Sequence, residues 1–428
     1  MSGLNPQANG AEILSTHRLI LDFPLIELPF NTGDDAGFPS MNQSLNLSKN
    51  FYQISHGWMI DMLKGRPAWQ TLFSIAAFDL ITTWTPLGVS WLHEEWHRAV
   101  LRRRGIESYN EVYDLNFFEE TISVSHVKDE DLIRLKEAHP QEMVRLHAAG
   151  IEAQYEMNLA LEKDQFFSKT YVLEDMLLWI NYLNSIFYIN LCASNEADEM
   201  TDEMTAEEGL DISDRDFTGL DFTAYVYDLF RPEEPYQARG VHPSGKGVDR
   251  YIRYSDLTHE EQDYLKLQRN LSLLNLVNPF LFHKHRFYGN GFVWNLTLRH
   301  HLTPFGYAVS THFFFKKNPF DSLIKCHFYN NKTKTFPGVE VEIIRLPVEI
   351  WRRTCDASFR VGLWMQPYDQ RFRVNRSTPG GLVAVKVATP VSTHMALYME
   401  IEEKTKGWVS GSPYLDENCN VILGVIFR

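Results

Sequence analysis

The final third of the chain constrains the fold most strongly. Between residues 281 and 428, apolar and polar side chains alternate in short runs at 292–298, 307–313, 339–344, 358–365, 395–402 and 421–427. Asn318-Pro319 and Asn330-Asn331 are turn signals between such runs. A period of two places successive side chains on opposite faces of a strand. The pattern therefore predicts about eight antiparallel strands, arranged as a meander sheet or closed into a β-barrel.

The middle of the chain has helical periodicity instead. Residues 139–163, 173–193 and 259–282 are each predicted to be helical. The strongly apolar stretch 71–92 is interrupted by Asp79 and Pro86, which favours two consecutive buried helices over a membrane span. Thr85-Pro86 is a helix-start signal, and Gly105 after three arginines is a helix-end signal, so one helix is predicted over 86–104.

These patterns together predict an α+β protein. They divide the chain into an extended segment at 1–47 with a strand near 17–30, a helical domain at 48–275, and an antiparallel barrel or sheet at 281–428. Residues 196–221 carry eleven carboxylates against Arg215 alone, and are predicted to form a solvated acidic linker. The net charge of −14 argues against a general nucleic-acid-binding protein.

Residues 93–97 read His-Glu-Glu-Trp-His inside the predicted helix 86–104. His93 and His97 lie one turn apart on the same helix face, where their imidazoles can bind one Zn²⁺ ion. Glu94 flanks that face and is placed to take a proton from a water molecule that the zinc ion acidifies. The alternative is a buried helix whose histidines and glutamates satisfy one another by hydrogen bonds, without a metal.

A catalytic zinc ion also needs a third protein ligand, and a second predicted helix offers Glu152. The small residues at 148–150 would let another helix approach closely. Glu156, one turn later, is an alternative ligand or a hydrogen-bond partner for a ligand histidine. His147 and His126 can replace either glutamate. The alternative is that Glu152 is a surface residue beside a packing face.

The helix with His93-Glu94-Glu95-Trp96-His97, followed by Ala-Gly-Ile-Glu-Ala at 149–153, resembles the zincin metallopeptidases of the gluzincin type. This resemblance implies hydrolysis of a peptide or protein substrate. The zinc ligands that it implies are His93, His97 and Glu152, with Glu94 as the general base. Candidates for stabilising the tetrahedral oxyanion are Tyr155, His147 and His126.

The strands near the end of the chain resemble those of bacterial outer-membrane β-barrels. They are rich in aromatic residues, and the final Gly-Val-Ile-Phe-Arg at 424–428 is similar to a closing strand. The resemblance implies association with a membrane in the bacterial cell envelope, whereas a soluble half-buried sheet has the same alternation. The alternative function is accordingly an outer-membrane barrel protein, or a pseudoenzyme, with a structural metal site in a helical insert. The histidines at 283–285 and 300–301 are predicted to be polar residues at strand ends.

Overall fold

The computed structural model of the chain describes residues 19–32, 37–114, 122–168 and 175–428. Nine α-helices and one ten-stranded antiparallel sheet lie within these ranges, which confirms the predicted α+β class. The first residues of the strand predicted at 17–30 and of the helix predicted at 173–193 fall outside the described residues.

The helices of the described chain mostly occur where the periodicity predicts them. In chain order they are α1 (Met41–Met62), α2 (Ala68–Thr82), α3 (Val89–Arg102), α4 (Asp129–Ala138), α5 (Pro140–Phe167), α6 (Asp175–Cys192), α7 (Glu196–Glu207), α8 (Asp221–Phe230) and α9 (His259–Ser272). The 28-residue α5 is the central helix, and it packs against α1, α3, α4, α6 and α8.

The helix start predicted at Thr85-Pro86 is wrong, because Gly88 is the N-cap of α3. A Cβ atom on Gly88 would lie 1.9 Å from the carbonyl oxygen of Thr82, so this tight turn requires glycine.

Helix α2 is much more exposed than the prediction of a buried helix allows. Only one side of it packs, chiefly against α1 and α6, and this side carries Ile75 and Asp79. Asp79 accepts a hydrogen bond from His56 of α1 over 2.6 Å. Trp69 and Phe73 on the other side are 64% and 70% exposed. In the described ranges, no individual helix has the length and apolarity to cross a bilayer, although α6 and α7, bent by 91° at their junction, pass such a test as a pair.

The sheet is a meander in which consecutive strands pair, except that the first strand of the chain pairs with the last. Its strands are β1 (Leu21–Leu28), β4 (Phe287–Gly289), β5 (Phe292–Thr303), β6 (Gly306–Lys317), β7 (Phe320–Asn330), β8 (Thr335–Ile350), β9 (Arg353–Pro367), β10 (Ser377–Pro390), β11 (Met395–Lys404) and β12 (Asn418–Phe427). The order is β1-β12-β11-β10-β9-β8-β7-β6-β5-β4, so the strand predicted near 17–30 joins the sheet beside the last strand. The short strands β2 (Tyr109–Asn110) and β3 (Val124–Ser125) form a separate ribbon.

The ten-stranded sheet is open, and the barrel alternative is therefore wrong. Strands β1 and β4 are the two edges and do not pair with each other. Helical segments pack near both sides of the sheet: α1 contacts the edge strand β1, and the 3₁₀ turn at Leu273–Leu276 contacts β5, the neighbour of the short edge strand β4. The predicted domains at 48–275 and 281–428 share one apolar core, in which Trp96 and Phe166 of the helices cluster with Phe314 and Leu323 of the sheet.

Candidate metal centre

Helix α3 presents the two histidines as the sequence predicts. His93 and His97 lie one turn apart with their ring centroids separated by 4.8 Å, and both side chains are largely buried. One ligand atom from each of His93, Glu94 and His97 lies within 4.8 Å of the others. A metal ion bound by both imidazoles would therefore also be close to the carboxylate of Glu94.

An acidic side chain from elsewhere in the chain converges on both imidazoles. Oδ2 of Asp221, the first residue of α8, lies 3.0 Å from Nε2 of His93 and 3.4 Å from Nε2 of His97. Zinc bonds of about 2.0–2.1 Å in tetrahedral geometry place donor atoms roughly 3.3 Å apart. The two distances from Asp221 Oδ2 are thus close to the spacing of zinc ligands, and the shorter of them is a hydrogen bond to His93. Burial alone would raise the pKa of Asp221, but the two histidines outweigh it and hold the pKa well below its usual range.

Hydrogen bonds orient the imidazoles with Nε2 toward Asp221. Nδ1 of His97 donates to the carbonyl oxygen of Leu146 over 2.7 Å, which leaves the lone pair on Nε2 available to a metal ion. Nδ1 of His93 lies 3.5 Å from Nε2 of Gln154. The side-chain oxygen of Gln154, Oε1, accepts a hydrogen bond from the hydroxyl of Ser185 over 2.7 Å. In this arrangement Gln154 Nε2 donates to Nδ1 of His93, and the Nε2–H of His93 donates to Oδ2 of Asp221 over 3.0 Å, so His93 would release this proton on binding a metal ion.

The glycine at position 150 makes room for His93. A Cβ atom at Gly150 of α5 would lie 2.1 Å from Nε2 of His93, closer than any real contact. The small residues at 148–150 do let another helix approach, as predicted, and that helix is α3. The residues of α5 that face the metal centre are Gly150 and Gln154, one turn apart.

We expect Gly150→Ala to reduce zinc binding. Alanine favours a helix over glycine by about 1 kcal/mol, yet its methyl group would displace the His93 ring. The measurements are zinc content after dialysis and thermal midpoint. Gly209→Ala is the control, because a Cβ atom there meets nothing nearer than 3.9 Å. Undiminished zinc content in the Gly150 variant would contradict the placement of His93 against this glycine.

The centre is rich in buried carboxyl groups. Burial raises the pKa of Glu94 well above its usual value, and the nearby charges of Asp221, Asp216 and Glu111 raise it further. Burial also raises the pKa of Asp216, together with the charges of Glu208 and Glu111. A divalent cation held by the histidines would offset this repulsion.

The structure does not bring Glu152 to the two histidines. Its Oε1 accepts hydrogen bonds from Arg145 Nη2 at 2.9 Å and from the backbone N–H of Gly411 at 2.8 Å, and all three groups are buried or half-buried. Residue 152 lies two positions from both Gly150 and Gln154, and therefore projects from the opposite side of α5. Asp221 occupies the position beside the imidazoles that the sequence predicted for Glu152.

The other predicted site residues also contact different parts of the molecule. Glu156 accepts a hydrogen bond from Ser410 over 2.7 Å. Tyr155 packs in the core, with its ring 5.5 Å from that of His301. His147 is hydrogen bonded to Asp228 and Thr218, and the ring of Phe217 lies near both it and His97. The exposed His126 stacks on Tyr109.

Sequence reasoning missed two residues of the centre, Asp221 and Tyr188. Asp221 is the last carboxylate of the acidic stretch 196–221, which was predicted to be a solvated linker. The stretch instead contains α7 and places Asp216 and Asp221 in the interior. The sequence signal that could have identified Asp221 as an interior residue was the apolar run that follows it directly. The oxygen of Tyr188 in α6 accepts the backbone N–H of Asp221 over 2.8 Å, and its ring lies 6.4 Å from that of His93.

A second group of possible ligands lies before β4. The buried carboxylate of Asp175 contacts His283, and also His285 at 3.0 Å. Gln165 Nε2 donates to the same carboxylate over 2.8 Å. His283 is mostly exposed. One ligand atom from each of Asp175, His283 and His285 lies within 4.8 Å of the others, so the histidines predicted as polar residues at a strand end converge on a buried carboxylate.

A cavity between the sheet and the helices is separate from the metal centre. Its volume is about 350 Å³, and it lies between the inner face of the sheet and helices α1 and α5. Its charged lining includes Lys49, Glu156, Asp164, Glu342 and Arg360. His93, Glu94, His97 and Asp221 are not part of that lining.

Comparison of the chain with protein-family models, with curated proteins and with solved structures finds no match. The functional conclusion therefore depends on the metal centre itself. Its evidence is the geometry of His93, His97 and Asp221 and the position of Glu94 beside them.

Proposed function

We propose that this chain is a zinc-dependent hydrolase in which His93, His97 and Asp221 hold the ion. The observation that carries the proposal is the position of one Asp221 oxygen, 3.0 and 3.4 Å from the Nε2 atoms of two histidines on the same helix face. The hydrogen bond from His97 to Leu146 supports it, because it directs Nε2 to that oxygen. Three protein ligands leave one tetrahedral position free, as catalytic zinc requires.

The residues around the ligands suit hydrolysis of a peptide or related amide. When bound, zinc supplies the charge that brings the pKa of a water molecule to about 7. Glu94 takes the proton onto its carboxylate and passes it to the nitrogen of the leaving amine. The oxygen of Tyr188 accepts a hydrogen bond from the N–H of Asp221. Its own hydroxyl proton is therefore free to be donated to the developing oxyanion.

Glu94→Gln tests this assignment. The amide cannot take up a proton, so we expect hydrolysis of peptide substrates to fall by at least about 100-fold, the usual contribution of a general base. Zinc content should remain near that of the unaltered chain. The readouts are cleavage of a fluorogenic peptide mixture and elemental analysis. Glu107→Gln, at an exposed glutamate after the same helix, is the control. Unchanged cleavage in the Glu94 variant would exclude it as the base.

A structural metal site is the second candidate, and one observation favours it. The carboxylate of Glu94 lies within 4.8 Å of the ligand atoms of both histidines, close enough to serve as a fourth ligand. Such a ligand would close the coordination sphere and leave no position for water. In that case Glu94→Gln would weaken zinc binding and lower the thermal midpoint together. Retained zinc with lost cleavage favours the hydrolase instead.

A further inference from the structure

We propose that lipid acyl chains cover the outer face of the ten-stranded sheet. The outer face is the surface turned away from α1 and α5. This inference goes beyond the proposed hydrolase and does not depend on the metal centre. It rests on the pairing register of the strands, the exposure of their side chains, and the hydrogen bonds at the sheet edges.

The register aligns apolar side chains in continuous rows across the outer face. Directly paired residues share a face of the sheet. The first half of one row, from β1 to β8, consists of Leu28, Val421, Ile401, Val385, Phe359 and Ile343. The row continues through Ser322, Phe315 and Trp294. Ser322 is its single polar member, and Ile401 is 44% exposed.

The neighbouring row repeats the pattern. From β10 to β5 it contains Val383, Val361, Val341, Ile324, Phe313 and Leu296. Val383 is 54% and Val361 46% exposed, so no other part of the described chain covers them. Charged side chains of this face stand at strand ends, such as Glu403 near the end of β11 and Lys317 at the end of β6.

The inner face carries the charges that a sheet in water would turn outward. Glu342, Arg360 and Glu402 lie in one inward row of paired residues, together with Ala384. Arg360 is paired with Glu402, and Lys163 of α5 donates to Glu342 over 2.7 Å. A half-solvated sheet buries its apolar face and exposes its polar face. In this sheet the inner face combines buried charges with apolar core residues such as Phe314 and Leu323, while the outward face is apolar, and an apolar outward face is what surrounding lipid stabilises.

The extent of the outer face exceeds what a soluble monomer normally exposes. Ten strands about 4.8 Å apart span roughly 48 Å, and the seven residues from 359 to 365 rise about 20 Å. The product is roughly 1,000 Å², against about 300–600 Å² for the largest apolar patch of a typical monomer. The height is close to the apolar band of about 25 Å on membrane-embedded sheets.

The curvature of the sheet selects lipid over a second copy of the chain. Inward residues of β1, β8, β9, β10, β11 and β12 line a single cavity, so the sheet curls around it and its outer face is convex. Two convex faces meet only along a narrow line, and a stable interface needs about 800 Å² on each partner. Fluid acyl chains conform to a convex surface.

Several outward backbone groups of β1, and of β5 beyond the short edge strand β4, have hydrogen-bond partners, as a lipid environment requires. At β1, Asn50 Nδ2 and Gln43 Nε2 of α1 donate to the carbonyl oxygens of Asp22 and Leu25 at 2.7 and 3.1 Å. At β5, the backbone N–H of His300 donates to Asn275 Oδ1 over 2.7 Å, and that of Leu298 donates to the carbonyl oxygen of Val277 over 3.1 Å.

The exposed side of α2 extends the apolar surface beyond β1. Helix α1 packs on β1, and α2 packs on α1. Leu80 and Ile81 of α2 are 54% and 67% exposed. At the hairpin between β8 and β9, the Trp351 side chain is 95% exposed, the position at which tryptophan meets a membrane–water interface.

The test is flotation of the full chain with phosphatidylcholine vesicles on a density gradient. We expect the unaltered chain to float with the vesicles. The double variant V361K/I401K places two charges on the outer face, and its floating fraction should fall at least tenfold. The matched control is L210K/V241K, at apolar residues that are 67% and 69% exposed elsewhere, and it should float like the unaltered chain. Circular dichroism checks that both variants fold.

Two results would overturn the proposal. One is flotation of V361K/I401K equal to that of the unaltered chain. The other is an unaltered chain that stays in detergent-free buffer, as a monomer or a dimer, and does not float. A measurement without any variant covers the case in which V361K/I401K fails to fold. Tryptophan fluorescence of the unaltered chain should be quenched by brominated phosphatidylcholine vesicles and not by unbrominated ones; equal fluorescence in both would also exclude lipid contact. Neither assay reads zinc, so its failure is distinguishable from that of the proposed hydrolase.

Discussion

Replacing Asp221 with alanine is expected to lower the zinc affinity of this chain by at least about 100-fold, because two histidines alone bind zinc far more weakly than a three-ligand site. The carboxylate oxygen lies 3.0 and 3.4 Å from the two imidazole nitrogens, where it can supply the third bond. The measurement is competition for zinc against a chromophoric chelator. Hydrolysis should be lost together with the metal.

Glu152→Gln is the matched comparison for Asp221→Ala. Glu152 is paired with Arg145 on the opposite side of α5, so its amide variant should lose stability while it keeps its zinc affinity. Loss of zinc from the Glu152 variant, with retention by the Asp221 variant, would restore the ligand set that the sequence predicted. Circular dichroism of both variants separates loss of the metal from loss of the fold.

Replacing Asp228 with asparagine is expected to destabilise the fold by about 3–5 kcal/mol, the usual effect of breaking a buried ion pair from one side. Asp228 accepts hydrogen bonds from Lys136, Arg239 and His147 at 2.9, 2.7 and 2.8 Å, and all four side chains are at most 2% exposed. The neutral amide would leave two buried cations without their counter-ion. Urea denaturation measures the change in the free energy of unfolding.

The same network predicts how stability depends on pH. Burial would raise the pKa of Asp228, but Arg239, Lys136 and His147 outweigh it and hold the pKa well below its usual value. The unfolded carboxyl has a pKa of about 3.9. The stabilisation is therefore fully present above about pH 4 and is lost as the pH falls toward the folded-state pKa. Asp228→Asn should remove this dependence, whereas Asp263→Asn, at a 78% exposed residue, should change neither stability nor its pH profile.

The network also bears on the metal centre, because Asp228 and Asp221 belong to the same helix. Asp221 begins α8, and Asp228 fixes the helix two turns later against α4 and α5. A loosened α8 would carry the Asp221 carboxylate away from His93. We therefore expect partial zinc loss in Asp228→Asn at temperatures below its thermal midpoint, and full retention in Asp263→Asn.

The sequence predicted those parts of the fold that depend on local periodicity. Alternation with period two identified the strands of the sheet, and the apolar spacing in α5 and α6 identified the long helices. Closure of the sheet was not predictable, since it depends on whether β1 pairs with β4, two strands that are more than 250 residues apart in the chain. Exposure of α2 depends on packing partners that are far away in the sequence, and so could not be read from its composition.

In the candidate metal centre, the residues within one helix were predictable and the residue from another helix was not. His93, Glu94 and His97 follow from the period of 3.6 residues alone. A third ligand depends on which helix packs against α3, and α8 lies more than a hundred residues further along the chain. Glu152 was favoured because small residues precede it. Those residues do contact α3, but the glutamate projects from the other side of α5.

The most direct test of the metal centre is the zinc content of the full-length chain purified without chelators, combined with X-ray absorption at the zinc edge. We predict one zinc ion per chain, bound by two imidazole nitrogens and by oxygen donors at about 2.0–2.2 Å. A chain that takes up no zinc when it is supplied at equimolar concentration, or an absorption spectrum without imidazole scattering, would contradict the assignment of His93, His97 and Asp221.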